Sequence, residues 1–311
     1  GCKRYDGSGR SVKQKATIAL FVVTIIWGWT FVWLKQALDT AELYSSGNQT
    51  NIVATLFVAL RFGFAIGLFF VFVPSIREEI KGYQVWNDGA ILALFMLGGF
   101  VFQMIGLEGI SPAVSAFLTS LYVLFTALIL AWFAGKLQSK NLLVGVVLAT
   151  FGAGFIQGPP QLHYDVSEWL TILCALMFAG HIIFTDICTK RASPIGLTFT
   201  SITISTIMCF LLFDLFLYFD IGGVDIVGLL KDTNFLYPLL LSSIFGTFGA
   251  LAMVNMYQKH MNPVRAAILY ALEPVWATLL AISMDLTEFS FWLIVGGSAL
   301  LVGNLISELG N

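Results

Sequence analysis

Residues 269–280 read LYALEPVWATLL, which places a carboxylate, Glu273, directly before Pro274 in an otherwise apolar stretch. An ionisable group in such surroundings can hold a proton, pair with a cation or contact a ligand. Proline lacks an N–H, so the carbonyl of Tyr270 is expected to lose its helical partner and the helix to kink there. A freed carbonyl beside a carboxyl group suits a cationic or hydroxyl-bearing ligand. A second such group, Arg61, lies in ATLFVALRFGFAIGLFF, about a third of the way into its apolar run. It needs an anion: Glu273, a substrate carboxylate or phosphate, or backbone carbonyls. Trp27 in IIWGWTFVWLK is the candidate apolar wall of a pocket, and Gln103, Asn255 and Tyr257 are candidate lining residues. His181 reads either as a proton relay or as a packing residue. Lys35 reads as a ligand contact or as a cation snorkelling to an interface. Asp214 has no evident partner. The chain shows no His/Glu metal pair and no nucleophile with its base. Cys174, Cys188 and Cys209 read as small apolar fillers. Neither a cofactor nor a metal nor enzymatic activity is expected.

These groups need elements to hold them, and composition says which. Of 311 residues, 58% are hydrophobic and 11% charged, with a mean hydropathy of +0.87. Soluble domains carry about 25% charged residues, so this chain belongs in a bilayer. The net charge of −2 offers no basic face for nucleic acid. Runs of about 20 apolar residues fall at 16–38, 52–73, 88–107, 112–134, 141–157, 168–189, 195–219, 235–258, 263–284 and 290–306, which we number as spans 1–10. Counting Lys and Arg in the connections puts thirteen on the side of the N-terminus, Arg265 among them, and Lys231 alone on the other. By the positive-inside rule both termini are cytoplasmic. Asn48-Gln49-Thr50 is a glycosylation sequon on the far side, and Cys2, with no initiator Met before it, carries no inference.

A shift of 151 residues lays 112–152 on 263–303 without a gap, with ten identities in 41 positions. The chain therefore divides into an N-terminal segment (1–15) and two five-span repeats (16–157 and 158–311). Five is odd, so the second copy is expected to enter the membrane inverted, an arrangement typical of transporters with a midplane site between the halves. Gly145 and Gly152 on span 5 fall on Gly296 and Gly303 of span 10, a smooth stripe that reads as packing scaffold or a dimer contact. On span 9, Ala266, Tyr270, Glu273 and Ala277 share one face. Their mates on span 4 are Ser115, Thr119, Tyr122 and Thr126. This seam is expected to line a shared cavity, with Glu273, Arg61, Tyr270, Tyr122, Thr119, Trp27, His181, Gln103 and Asn255 as its binding or coupling residues.

WGWTFVWLK (27–35), ALRF (59–62), PAVSAFLTSLYVLFTALIL (112–130) and PVRAAILYALEPVWATLLA (263–281) resemble an EamA-type member of the drug/metabolite transporter superfamily, from about residue 16 to the end. The resemblance implies an all-α integral membrane protein of ten transmembrane helices in two inverted five-helix repeats. It also implies a cavity lined by spans 1–4 and 6–9 and secondary transport, often export, of amino acids or other small metabolites. Loop 39–51 is longer than that pattern, Gly135-Lys136-Leu137 replaces an acidic residue after span 4, and span 6 has Phe178-Ala179 where span 1 has Trp-Gly. The expected activity is export of a small organic metabolite by alternating access, with Glu273 as the proton-coupling group. The expected partners are a small-molecule substrate and the lipid of a bacterial inner membrane, with a homodimer or membrane-complex partner as a further candidate. A nucleotide-sugar or sugar-phosphate carrier and a non-transporting accessory subunit are the alternatives.

Overall fold

The computed structural model describes residues 7–46, 49–107, 109–110, 112–220, 222–286 and 288–309. Cys2, Lys3, Arg4 and Asn48 of the sequon lie outside them. Among the described residues nine helices are long and apolar enough to cross a membrane. Span 5, Lys140–Gly154, has 15 residues, about 22 Å of helix, and is shorter than the expected 141–157. Span 1 runs the other way, forming one helix of 36 residues, Gly7–Glu42. Residues 39–42 of the long 39–51 connection thus continue span 1, and 50–51 already belong to span 2. Side-chain oxygens set the helix starts. Ser139, Asp165, Ser193, Asn262 and Ser290 each accept from a backbone N–H of the first turn they precede, with Pro194 and Pro263 at first-turn positions that need no N–H.

Spans 4 and 9, expected as single helices, are each broken. Span 4 comprises Pro112–Ser120 and Tyr122–Ala134, and span 9 comprises Pro263–Tyr270 and Glu273–Ser283. The breaks are repeat mates. Leu121 (φ −60°, ψ −14°) donates to the carbonyl of Leu118, and Leu272 (φ −73°, ψ −18°) to that of Leu269, at 3.2 and 3.1 Å. Span 4 has Val123 where span 9 has Pro274, so the proline is not what breaks the helix, contrary to the sequence expectation. A tightened turn common to both repeats does it. Span 8 is irregular in another way. Thr233–Leu241 passes into eight residues of π-helix, Ser242–Gly249, before α-helix resumes over Ala250–Tyr257.

The helix packing follows the repeat. Span 1 lies against spans 8 and 9, as span 6 lies against 3 and 4, while spans 2 and 7 pair across the halves and so do 5 and 10. The glycine stripes form this last contact within one chain. A Cβ on Gly152 would sit 2.5 Å from the Gly296 carbonyl oxygen, and one on Gly296 2.5 Å from that of Gly152. Arg265, counted above as a loop cation, is instead buried. The first turn of span 9 packs on span 10, where its guanidinium donates to Asn304 Oδ1 (3.0 Å) and Glu308 Oε2 (2.7 Å). Large apolar side chains such as Trp132, Phe133, Val147 and Leu211 cover the outside, as lipid requires.

Two fastenings join the repeats at opposite faces. On the face away from the N-terminus, β1 (Ser45–Ser46) pairs antiparallel with β2 (Gly223–Val224). Tyr44 Oη donates to Asp232 Oδ2 and Gln49 Nε2 to Asp220 Oδ1, both at 2.8 Å. The bond to Asp232 raises the Tyr44 phenol above its usual range. On the N-terminal face the corresponding connections, 2–3 and 6–7, meet. Arg191 donates to both carboxylate oxygens of fully buried Asp88 (2.8 and 2.6 Å), and Ser193 donates to Glu79. That pairing raises the Arg191 guanidinium.

Candidate functional site

Arg61 stands at the middle of Thr50–Phe72, deeper than expected, and is half-buried against the π segment of span 8. Its Nε donates to Thr247 Oγ1 at 2.6 Å, and its backbone carbonyl accepts from Ser243 Oγ at 2.6 Å. Gly246 makes room for the guanidinium, since a Cβ there would lie 2.7 Å from the Arg61 terminal nitrogen and 2.2 Å from Thr30 Cγ2. The Gly246 carbonyl accepts from Trp27 Nε1 at 3.3 Å. Of the guanidinium nitrogens only Nε is engaged, and among the described residues neither terminal nitrogen has a hydrogen-bond partner.

From Trp27 the cluster continues to span 9, with the Trp27 and Tyr270 rings 5.7 Å apart. Tyr270 Oη donates to Gln258 Oε1, and Gln258 Nε2 to the carbonyl of Ile182, each at 2.7 Å, which ties spans 9, 8 and 6. Trp276 Nε1 donates to Thr24 Oγ1 at 2.9 Å and locks the second half of span 9 onto span 1. Glu273 is the first residue of that half-helix. The dipole of that half-helix favours a negative charge at this point. Among the described residues neither Glu273 oxygen has a hydrogen-bond partner, and the residue is half-buried. Arg61 and Glu273 feel each other electrostatically, but no ion pair within 4.0 Å joins them. Tyr122, the repeat mate of Glu273, interacts electrostatically with both Glu273 and Tyr270.

The structure thus brings together Trp27, Arg61, Tyr122, Tyr270 and Glu273 of the residues singled out in the sequence. Gln103 and Thr119 meet each other at 3.4 Å on spans 3 and 4, one turn from Tyr122. Asn255 is buried elsewhere, donating to Thr198 Oγ1 at 2.8 Å between spans 8 and 7. His181 is half-buried on span 6 without a hydrogen bond, and the link from span 8 lands on its neighbour Ile182. Lys35 and Asp214 are exposed on the outside of the bundle. Residues the sequence did not single out are Ser243, Gly246, Thr247 and Gln258. The small-residue run SSIFGTFG was the only signal for the first three, and its mixture of Ser, Gly and Thr is ordinary for a packed membrane helix.

An open recess of about 650 Å³ lies at the N-terminal-side ends of spans 1, 6, 8 and 9, bordered by Lys13, Lys190, Lys259, His260, Asp186 and Asn262. Lys190 pairs with Asp186 at 3.0 Å, as their spacing allows. Among the described residues no cluster of His, Cys, Asp and Glu could hold a metal.

The comparisons with known proteins agree with this architecture. An uncharacterized transporter of Archaeoglobus fulgidus is 27% identical over 283 residues, covering 90% of this chain and 82% of that protein. A protein of known crystal structure superposes with a TM-score of 0.72 at 15% identity, over 95% of this chain and 97% of its own, which shows a shared fold. The model of the EamA-like transporter family matches twice, over residues 14–157 and 166–308, one match for each five-helix repeat. An integral membrane protein that carries both copies of that repeat, this chain belongs to the EamA-like transporter family.

Proposed function

We propose that this transporter exports a small zwitterionic metabolite of the amino-acid type by alternating access between two inverted repeats, with Glu273 as a proton-exchanging group. One observation carries the reading. A free carboxylate and a free guanidinium edge, from different repeats, face the same midspan region without neutralising each other at contact distance. An α-amino acid carries the complementary pair, its ammonium for Glu273 and its carboxylate for Arg61, and bidentate recognition suits the latter. Trp27, Tyr270 and Tyr122 supply apolar wall. The odd number of helices per repeat, and fastenings at opposite faces from corresponding connections, support the inverted relation. The excess of cations on the N-terminal side, even without Arg265, supports cytoplasmic termini, and we take the membrane to be a bacterial inner membrane.

When the ammonium leaves, Glu273 is left charged in a low-dielectric site unless it takes a proton. Protonation would bias the halves between inward- and outward-open arrangements. Counterflow in proteoliposomes with a pool of labelled standard amino acids tests this. Wild type is expected to accumulate label with a pH-dependent rate, and Glu273→Gln to lose that dependence. A Glu273→Gln protein that keeps pH-dependent uptake would sink the coupling role. A second reading, transport of a phosphorylated anion, draws on Lys13, Lys190, Lys259 and His260 around the recess. It predicts that a sugar phosphate, and no amino acid, competes for uptake.

A further inference from the structure

We infer that the π segment Ser242–Gly249 is the positioning element of the binding site, and that Thr247, acting through Arg61, sets the affinity for the substrate's anionic group. This rests on the assignment of Arg61 to the substrate pathway made above. An arginine side chain has several rotatable bonds, and an open guanidinium at midspan would sample many directions. Here three residues of one neighbouring helix hold the side chain and its backbone. Thr247 Oγ1 accepts from Nε at 2.6 Å, Ser243 fixes the Arg61 backbone through its carbonyl at 2.6 Å, and Gly246, lacking a Cβ, leaves room for one terminal nitrogen, which lies 2.7 Å from where that Cβ would be. Residues 243, 246 and 247, spaced i, i+3 and i+4, share one helix face, which is why all three contacts come from one helix. Nε is occupied, so the outward pair of nitrogens is the pair offered to an anion, and their plane is set before anything binds. Fixing a donor pair in advance raises affinity by removing the cost of ordering it. The same Gly246 carbonyl holds Trp27 Nε1 at 3.3 Å, so one peptide group aligns both the guanidinium and the aromatic wall.

Two measurements test this, and only one of them needs a substrate. The chain has six arginines, so in protein labelled with ¹⁵N-arginine the Arg61 Nε–H resonance can be assigned by its absence in Arg61→Lys. We expect that resonance to be protected from solvent exchange in wild type and in Thr247→Ser, and to lose its protection in Thr247→Val. An unchanged, protected resonance in Thr247→Val would overturn the positioning role. In proteoliposomes, for the amino acid taken up fastest from the pool, Thr247→Val should raise the half-saturation concentration about tenfold, the worth of one hydrogen bond to a charged group. Its maximal rate should stay near wild type, and Thr247→Ser should restore affinity. A fall in maximal rate alone would mark a packing role and count against the inference. If Arg61→Lys transports like wild type, the pathway assignment fails instead, while the resonance still decides whether Thr247 holds the guanidinium.

Discussion

Tyr270 shows how single contacts hold this site in place. Its hydroxyl is the only donor reaching Gln258 Oε1 among the described residues, and both residues are buried. Tyr270→Phe should therefore leave a buried acceptor unpaired and cost about 1–3 kcal/mol, read as a lower melting temperature in detergent, with Trp27 keeping its ring contact. Arg61 and Glu273 were legible in the sequence because a charge amid Phe, Leu and Val has few innocent explanations in lipid. Gln258 was not, since it lies beside Lys259 and His260 in what reads as a polar connection. Thr247 was not either, because a threonine in a membrane helix usually satisfies itself on the preceding turn, and nothing in SSIFGTFG says that its oxygen faces another span. Arg265 misled for the opposite reason. Its position one turn inside span 9 suits a surface cation, and only the packing of span 10 reveals Asn304 and Glu308 beside it.

Among the elements, the broken helices invite a direct test. Span 4 makes its turn at Leu121 without a proline, so Pro274→Ala should leave the break at Leu272 in place. The expected result is a variant that folds and transports within about threefold of wild type, a change worth less than about 1 kcal/mol. A crystal structure showing a continuous helix through residues 263–283 would refute the shared origin of the breaks. Spans 5 and 10 make a second prediction. Gly152→Leu drives a side chain into the backbone of Gly296, where even a Cβ would be 2.5 Å from oxygen. Backbone cannot yield as a side-chain tip can, and the loss should exceed the 1–3 kcal/mol usual for overpacking, so little folded protein is expected by size-exclusion chromatography. The glycine stripe could be read from the sequence because recurrence every seven residues survives on paper. The break could not, because Leu121 and Leu272 are ordinary helix formers, and the tightening shows only in backbone angles. The π winding was hidden for a similar reason. Eight residues wound a little wider keep the same apolar appearance, and the pattern that fixed the span itself does not register it.

At the scale of the whole molecule, the proposed alternating access would require the two fastenings to open one at a time. Ser46 and Gly223 are directly opposite across β1 and β2, and nothing lies within 4 Å of a Cβ at Gly223. Paired antiparallel positions have a Cα separation compatible with a disulfide. The double variant Ser46→Cys, Gly223→Cys should cross-link under oxidation, stop counterflow and recover with reductant. Uninterrupted counterflow in the cross-linked protein would show that this face never opens. The number of spans and the repeat that places them were readable from hydrophobic runs and loop cations. The fastenings were not, for they join connections far apart in sequence whose Ser, Gly, Gln and Asp residues carry no periodic pattern. Their chemistry differs between the two faces. One is built from strand bonds and neutral donors to Asp220 and Asp232, the other from an ion pair in which Arg191 is half exposed. Dissolved salt screens the second far more than the first. Rising ionic strength should therefore loosen the fastening on the N-terminal face before the strand pairing on the other.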